Sequence, residues 1–185
     1  MGENLKNNFK KYLPYIVGAA AVVIVIILAV SLFTGGPKKA VKNYVKGMHR
    51  QKVSKVMKSI DLKGIEAWKY YGDLKEFEEK DYEEFIERYN EVDDEELEDA
   101  IKDYEDYIED VFDDVDDNFK SYKYKLEKIK SVDKLGKDLF VVRAKISLEA
   151  KPEDPDDDDI EEIDQASVKE FVVYKNKIVK LPGLY

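Results

Sequence analysis

Apolar and charged positions divide this chain into distinct regimes. From Tyr15 to Phe33, "YIVGAAAVVIVIILAVSLF", no position is charged, and the uncharged window reaches from Tyr12 to Pro37. At 1.5 Å per residue the strict run spans about 28 Å as a helix, close to the hydrocarbon thickness of a bilayer. A helix in water has no use for apolar residues on every side. The run therefore predicts a transmembrane helix. A cleaved signal peptide has a shorter apolar region, about 7–15 residues. An uncleaved signal anchor and hinge are thus expected over 12–36. A short cytoplasmic tail, 1–11, precedes them and a domain, 37–185, follows.

Past the anchor the pattern turns helical. Val41, Val45, Met48, Val53, Val56, Met57 and Ile60 recur mostly at three- and four-residue steps, which predicts a helix over 37–59 with Pro37 in its first turn. Asp61 is placed to cap a second, short helix, 62–71, bearing Trp68, Tyr70 and Tyr71 and stopped by Gly72. Asp73-x-x-Glu76 resembles a capping box and opens a third helix, 74–90, with Phe77, Phe85, Ile86 and Tyr89 as its apolar positions.

The segment from Asp93 to Asp117, "DDEELEDAIKDYEDYIEDVFDDVDD", has Lys102 as its only base. Its apolar residues, Leu97, Ile101, Tyr104, Ile108, Val111, Phe112 and Val115, still fall at steps of three and four. One stripe is apolar and the other faces are carboxylate, which predicts a surface helix over 94–117 capped by Asp93 or Asp94. Like charges one turn apart weaken such a helix by a few tenths of a kcal/mol per pair. Burial of the stripe, at about 1.5–3 kcal/mol per side chain, outweighs that cost.

The period then falls to two. Tyr122, Tyr124 and Leu126 alternate, and the phase slips at Ile129, which predicts a bulge. Phe140, Val142, Ala144, Ile146 and Leu148 alternate in the next segment, and "QASVKEFVVYKNKIVKL" reads as two strands around a tight turn near Lys175-Asn176-Lys177. Strands are expected over about 120–132, 138–150, 165–175 and 177–182. Helices first and antiparallel strands afterwards define an α+β fold, with helices on one face of a curved four-stranded antiparallel sheet.

Charge sharpens the picture. Residues 73–117 hold 24 acids against 4 bases, a net of −20, so the rest of the chain carries +10 within the total of −10. A single acidic lobe argues against nucleic acid, which needs clustered Lys and Arg. Aromatics at 12% argue against disorder. The absence of cysteine excludes disulfides, thiolate metal sites and a lipidated cysteine anchor. It suits an extracytoplasmic protein of a bacterium that avoids disulfides. Lys6, Lys10 and Lys11 precede the anchor, and Lys38, Lys39, Lys42, Lys46 and Arg50 follow it. Counted naively, these charges retain the domain in the cytoplasm, but large domains cross largely regardless of charge. A cytoplasmic N-terminus with the domain outside is expected. The basic stretch 38–58 then lies against the outer leaflet, within reach of anionic lipid or wall polymer, unless it is simply a solvated helix face.

The anchor, the helix "PKKAVKNYVKGMHRQKVSKVMKSID" and the later "YKYKLEKIKSVDKLGKDLFVVRAKISLE" and "VKEFVVYKNKIVKLPG" resemble the nuclear transport factor 2-like (cystatin-like) superfamily. Closest in type are its membrane-anchored extracytoplasmic domains from Gram-positive bacteria. The resemblance covers 37–182. It implies a cone-shaped space between helices and sheet, which enzymes of this fold line with an Asp, His or Tyr. The family's tryptophan before the last strand is missing from "VVYKNKIVKL".

Catalytic chemistry finds little support. The only histidine, His49, sits among Lys46, Arg50 and Lys52 and is expected to be exposed and without a role. Tyr104/Tyr107 and Tyr122/Tyr124 read as core or boundary residues. Asp114-x-Asp116-x-Asn118 begins like a calcium loop, but Phe119 stands where glycine is needed and Lys125 where a bidentate glutamate is needed. Asp154-x-Asp156-x-Asp158 fails likewise, at Asp159 and Gln165. The acidic run 151–164 reads as a solvated loop, with loose divalent-cation binding as the most it suggests. No catalytic residue, cofactor site or metal site is assigned.

The sequence thus points to a non-enzymatic, single-pass membrane protein. Its outer domain would bind another protein or an envelope component. Two other readings remain open. One is a subunit of a trans-envelope secretion, conjugation or assembly complex, since assembly proteins of conjugative systems resemble this layout. The other is a small-ligand carrier or enzyme built around a polar residue inside an apolar cone.

Overall fold

A computed structural model describes residues 35–182, apart from 72, 73, 75, 76, 79 and 156–159. The chain divides after Gly36, and Pro37–Tyr185 forms one compact unit. The expected anchor lies outside the described residues up to position 34. Among the described residues no helix is long and apolar enough to cross a membrane.

Helices come first: α1 (Gly36–His49), α2 (Val53–Met57), α3 (Leu62–Trp68) with a 3-10 turn at Lys69–Tyr71, α4 (Asp81–Glu91) and α5 (Asp94–Asn118). Strands β1 (Phe119–Lys134), β2 (Leu139–Pro152), β3 (Ile163–Tyr174) and β4 (Lys177–Lys180) follow. They form a four-stranded antiparallel meander in the order β1-β2-β3-β4. The protein is therefore α+β, with helices packed against a four-stranded antiparallel sheet.

The helix expected over 37–59 is two helices. Gln51 adopts a left-handed backbone (φ 48°). Its N–H donates to Met48 O (3.1 Å), and the Lys52 N–H donates to Gly47 O (3.1 Å). That pair of bonds is a Schellman stop, with glutamine at the position glycine usually takes. The chain then folds back so closely that a Cβ at Gly47 would lie 2.9 Å from both Cγ2 and N of Val56. Apolar spacing sees none of this, because no glycine or proline marks position 51.

Asp61 caps α3 as expected, accepting from the Gly64 N–H (3.4 Å). A Cβ at Gly64 would lie 2.2 Å from Val179 Cγ1, so glycine lets α3 press onto β4. The helix expected over 74–90 begins only at Asp81, where Asp81, Glu83 and Glu84 fill the first turn and suit the helix dipole. Leu74 and Phe77 precede it and are nonetheless buried. The expected cap residues Asp73 and Glu76, and the stop at Gly72, lie outside the described residues. Asp93 caps α5, accepting from the Glu95 N–H (2.7 Å).

Two register shifts in β1, between Leu126 and Lys128 and between Ile129 and Ser131, insert one extra residue each. Together they hold Leu126, Ile129 and Val132 on one face despite their three-residue spacing. The β3–β4 turn is Lys175-Asn176, with φ of 45° and 66°, the positive pair that matches strand twist in a two-residue hairpin. Beyond β4, the Ile178 N–H donates to Ser59 O and the Asp61 N–H to Ile178 O (both 2.9 Å), so residues 59–61 close that edge.

The sheet is not covered on one face only. Val142, Ala144, Ile146, Phe171, Val173 and Ile178 face a core built by α1, α2, α3 and α5. Their strand neighbours Leu139, Val141, Val172, Tyr174 and Val179 point the opposite way and are equally buried. Trp68, Leu74, Phe77 and Phe85, from the end of α3 through α4, cover that second face. The acidic helix α5 docks mainly through Ile108 (2% exposed) and Phe112 (5%), whereas Ile101 is 37% exposed. The stripe predicted from sequence is real, but only its C-terminal half is deeply buried.

Candidate interaction surfaces

The aromatic layer on the second face is the densest cluster in the domain. Trp68 stacks on Phe77 (centroids 4.9 Å apart, 24° between planes) and meets Phe85 edge-on at 5.8 Å. Tyr89 and Tyr174 extend the cluster, with Tyr89 Oη donating to Asp61 Oδ2 (3.0 Å). Burial, and then the Asp61 carboxylate, pushes the Tyr89 phenol well up from its usual range. Among the described residues, the buried Trp68 Nε1 has no hydrogen-bond partner. Burial also raises the Tyr71 phenol, against the nearby Arg88 cation.

On the opposite face, burial drives the phenols of Tyr44, Tyr122 and Tyr124 upward, and for Tyr44 the neighbouring Tyr124, Tyr104 and Tyr122 add to the effect. A phenol shifted this way is held more firmly in its neutral form. His49 lies exposed at the end of α1. Tyr104 is half-buried and packs against the core, while Tyr107 is 50% exposed. No acid–base pair is assembled around any of them.

The calcium-like Asp114-x-Asp116-x-Asn118 lies within α5, not in a loop. Residues two apart on a helix point in nearly opposite directions, so these side chains do not converge. Asn118 Nδ2 donates to Asp114 O (2.8 Å), and Asp116 Oδ1 accepts from Gln51 Nε2 (2.5 Å). Among the described residues no group of three His, Asp or Glu side chains is placed to hold a metal ion. Asp156 and Asp158 of the second acidic triplet lie outside the described residues.

Three surfaces that the sequence did not place come into view. The first is the edge of β3. Its partner β4 pairs only with Val172–Tyr174. Residues 164–169 are exposed, and Val168 presents an apolar side chain that is 53% exposed. The backbone of 163–170 is bonded to β2 on one side, and among the described residues nothing pairs with its other side. At the other sheet edge, β1 carries Lys120, Lys123, Lys125, Lys128, Lys130 and Lys134, the kind of charge that blunts unwanted strand pairing. The second surface is a groove of about 460 Å³ between α2–α3 and α5, floored by Met57, Ile60, Leu62, Leu97 and Ile101 and flanked by Lys58, Lys63 and Glu105. The third is a cleft of about 260 Å³ between α1 and α2, lined by Asn43, Lys46, Lys55 and Lys58.

Fold and surfaces together define a small α+β domain with helices packed against a four-stranded antiparallel sheet. No family model, curated protein or solved structure matches the chain.

Proposed function

We infer that this chain is a membrane-anchored interaction module that holds a protein partner by strand addition at the open edge of β3. Residues 12–36 anchor it in the membrane as a single pass, and the domain 37–185 works outside the cytoplasm. The helical half against a bulged four-stranded meander supports the nuclear transport factor 2-like reading. The observation that carries the function is the unequal length of β3 and β4. Eight residues, 163–170, have one backbone side with no partner among the described residues. Alternating N–H donors and C=O acceptors along such an edge are matched best by another extended polypeptide. A small molecule or an ion does not match that repeat.

A photo-crosslinking amino acid placed at Gln165, Ser167 or Val168 in living cells tests this reading. One discrete adduct is expected from the β3 positions and none from Tyr107 on the outer face of α5. Adducts spread equally over both surfaces, or absent from β3, would contradict strand addition.

A further inference from the structure

Between residues 35 and 60 the chain carries seven lysines and one arginine and no acid. The Schellman stop at Gln51 turns α2 back along α1, which brings Lys46 to face Lys55 and Lys58 across a narrow cleft with Asn43 at its side. Among the described residues none of these three lysines forms an ion pair. At about 260 Å³ the cleft is smaller than the pockets that take drug-sized ligands, which begin at about 300 Å³. Loss of water around the Lys55 amine, and then the charges of Arg50, Lys52 and Lys46, lower its proton affinity from the usual amine range. Like charges gathered without a counterion leave a local demand for an anion.

We propose that the Lys46–Lys55–Lys58 cleft is a headgroup site for anionic phospholipid. The proposal rests on the anchored reading above. Pro37 follows the apolar run by four residues, so on the anchored reading the domain is joined to the membrane segment by a link of at most about 14 Å. Lysine ammonium groups bind phosphate as point charges and need no preformed fork, and Asn43 supplies an amide donor beside them.

The test uses the full chain in lipid nanodiscs, with lysine acetylation rates read by mass spectrometry. Each lysine held near an anionic surface is worth about fivefold in occupancy. Lys46, Lys55 and Lys58 are expected to react about fivefold more slowly in phosphatidylglycerol discs than in phosphatidylcholine discs, with Lys102 on α5 unchanged. The double variant Lys46→Gln/Lys58→Gln should return Lys55 to its phosphatidylcholine rate. Equal rates in the two lipids, with the chain still embedded, would overturn the headgroup site while leaving the anchor intact. Protection in phosphatidylcholine discs on adding inorganic phosphate or poly(glycerol phosphate) would also overturn it, by assigning the cleft to a soluble anion. A chain that fails to enter discs would overturn both readings.

Discussion

Replacing Trp68 with alanine is expected to lower the unfolding free energy by about 3–5 kcal/mol, the range seen when a large aromatic leaves a packed core. Trp68 is 1% exposed and touches Phe77, Phe85 and Tyr71 at once. Leu139, Val141 and Val172 are held in the sheet beneath it, which limits how far that side can collapse into the space. Small domains have about 5–15 kcal/mol of stability, so the loss takes a large share of the total. Trp68→Phe is expected to cost much less. It keeps a ring against Phe77 and removes a buried N–H that has no acceptor among the described residues, a group whose desolvation costs about 1–3 kcal/mol. Urea titration of the two variants checks this. Were the second face of the sheet solvated, Trp68→Ala would change stability by less than about 0.5 kcal/mol, as surface substitutions do.

Phe171→Ala is the matching experiment on the other face, with an expected loss of about 3–5 kcal/mol. Phe171 is fully buried, stands opposite Val142 in the β2–β3 register and meets Tyr44 of α1 edge-on at 5.8 Å. Its removal uncouples α1 from the sheet centre. Trp68 and Phe171 belong to different clusters on opposite sides of the sheet. Their effects should therefore add to within about 0.5 kcal/mol, since sites without shared partners behave independently. A strongly non-additive double variant would mean that the two cores are one.

Much of this layout was legible in the sequence. The three- and four-residue steps of Leu97 to Val115 named the inner stripe of α5, Asp61 and Asp93 named two caps, Ile129 marked a bulge, and Lys175-Asn176 marked the hairpin. Each is a local rule obeyed locally. The misses are positions where tertiary contact overrides the local rule. Gln51 stops a helix without glycine because α2 must return along α1. The second buried face had a signal: "LFVV" and "FVVY" are unbroken apolar runs, the mark of strands covered on both sides. Alternation from Phe140 to Leu148 drew attention away from it.

The surfaces were less visible for a plain reason. The lysines of 38–58 stand in the sequence, but their convergence depends on a turn that periodicity does not show. The β3 edge depends on strand order and on β4 being only four residues long. Neither property is written in any window of the chain. Both follow once the helices are placed, because residues 59–61 take the outer side of β4, and among the described residues none pairs with the first two-thirds of β3 on that side.

Amide hydrogen exchange along β3 tests the account most directly. Amides of Val172–Tyr174, bonded on both sides and buried on both faces, should exchange only through global unfolding. Among residues 163–170, the amides that point away from β2 should exchange orders of magnitude faster, at rates approaching those of an open chain. Uniform slow exchange from Ile163 to Tyr174 in the isolated protein would mean that the edge is already covered, and strand addition there would be ruled out.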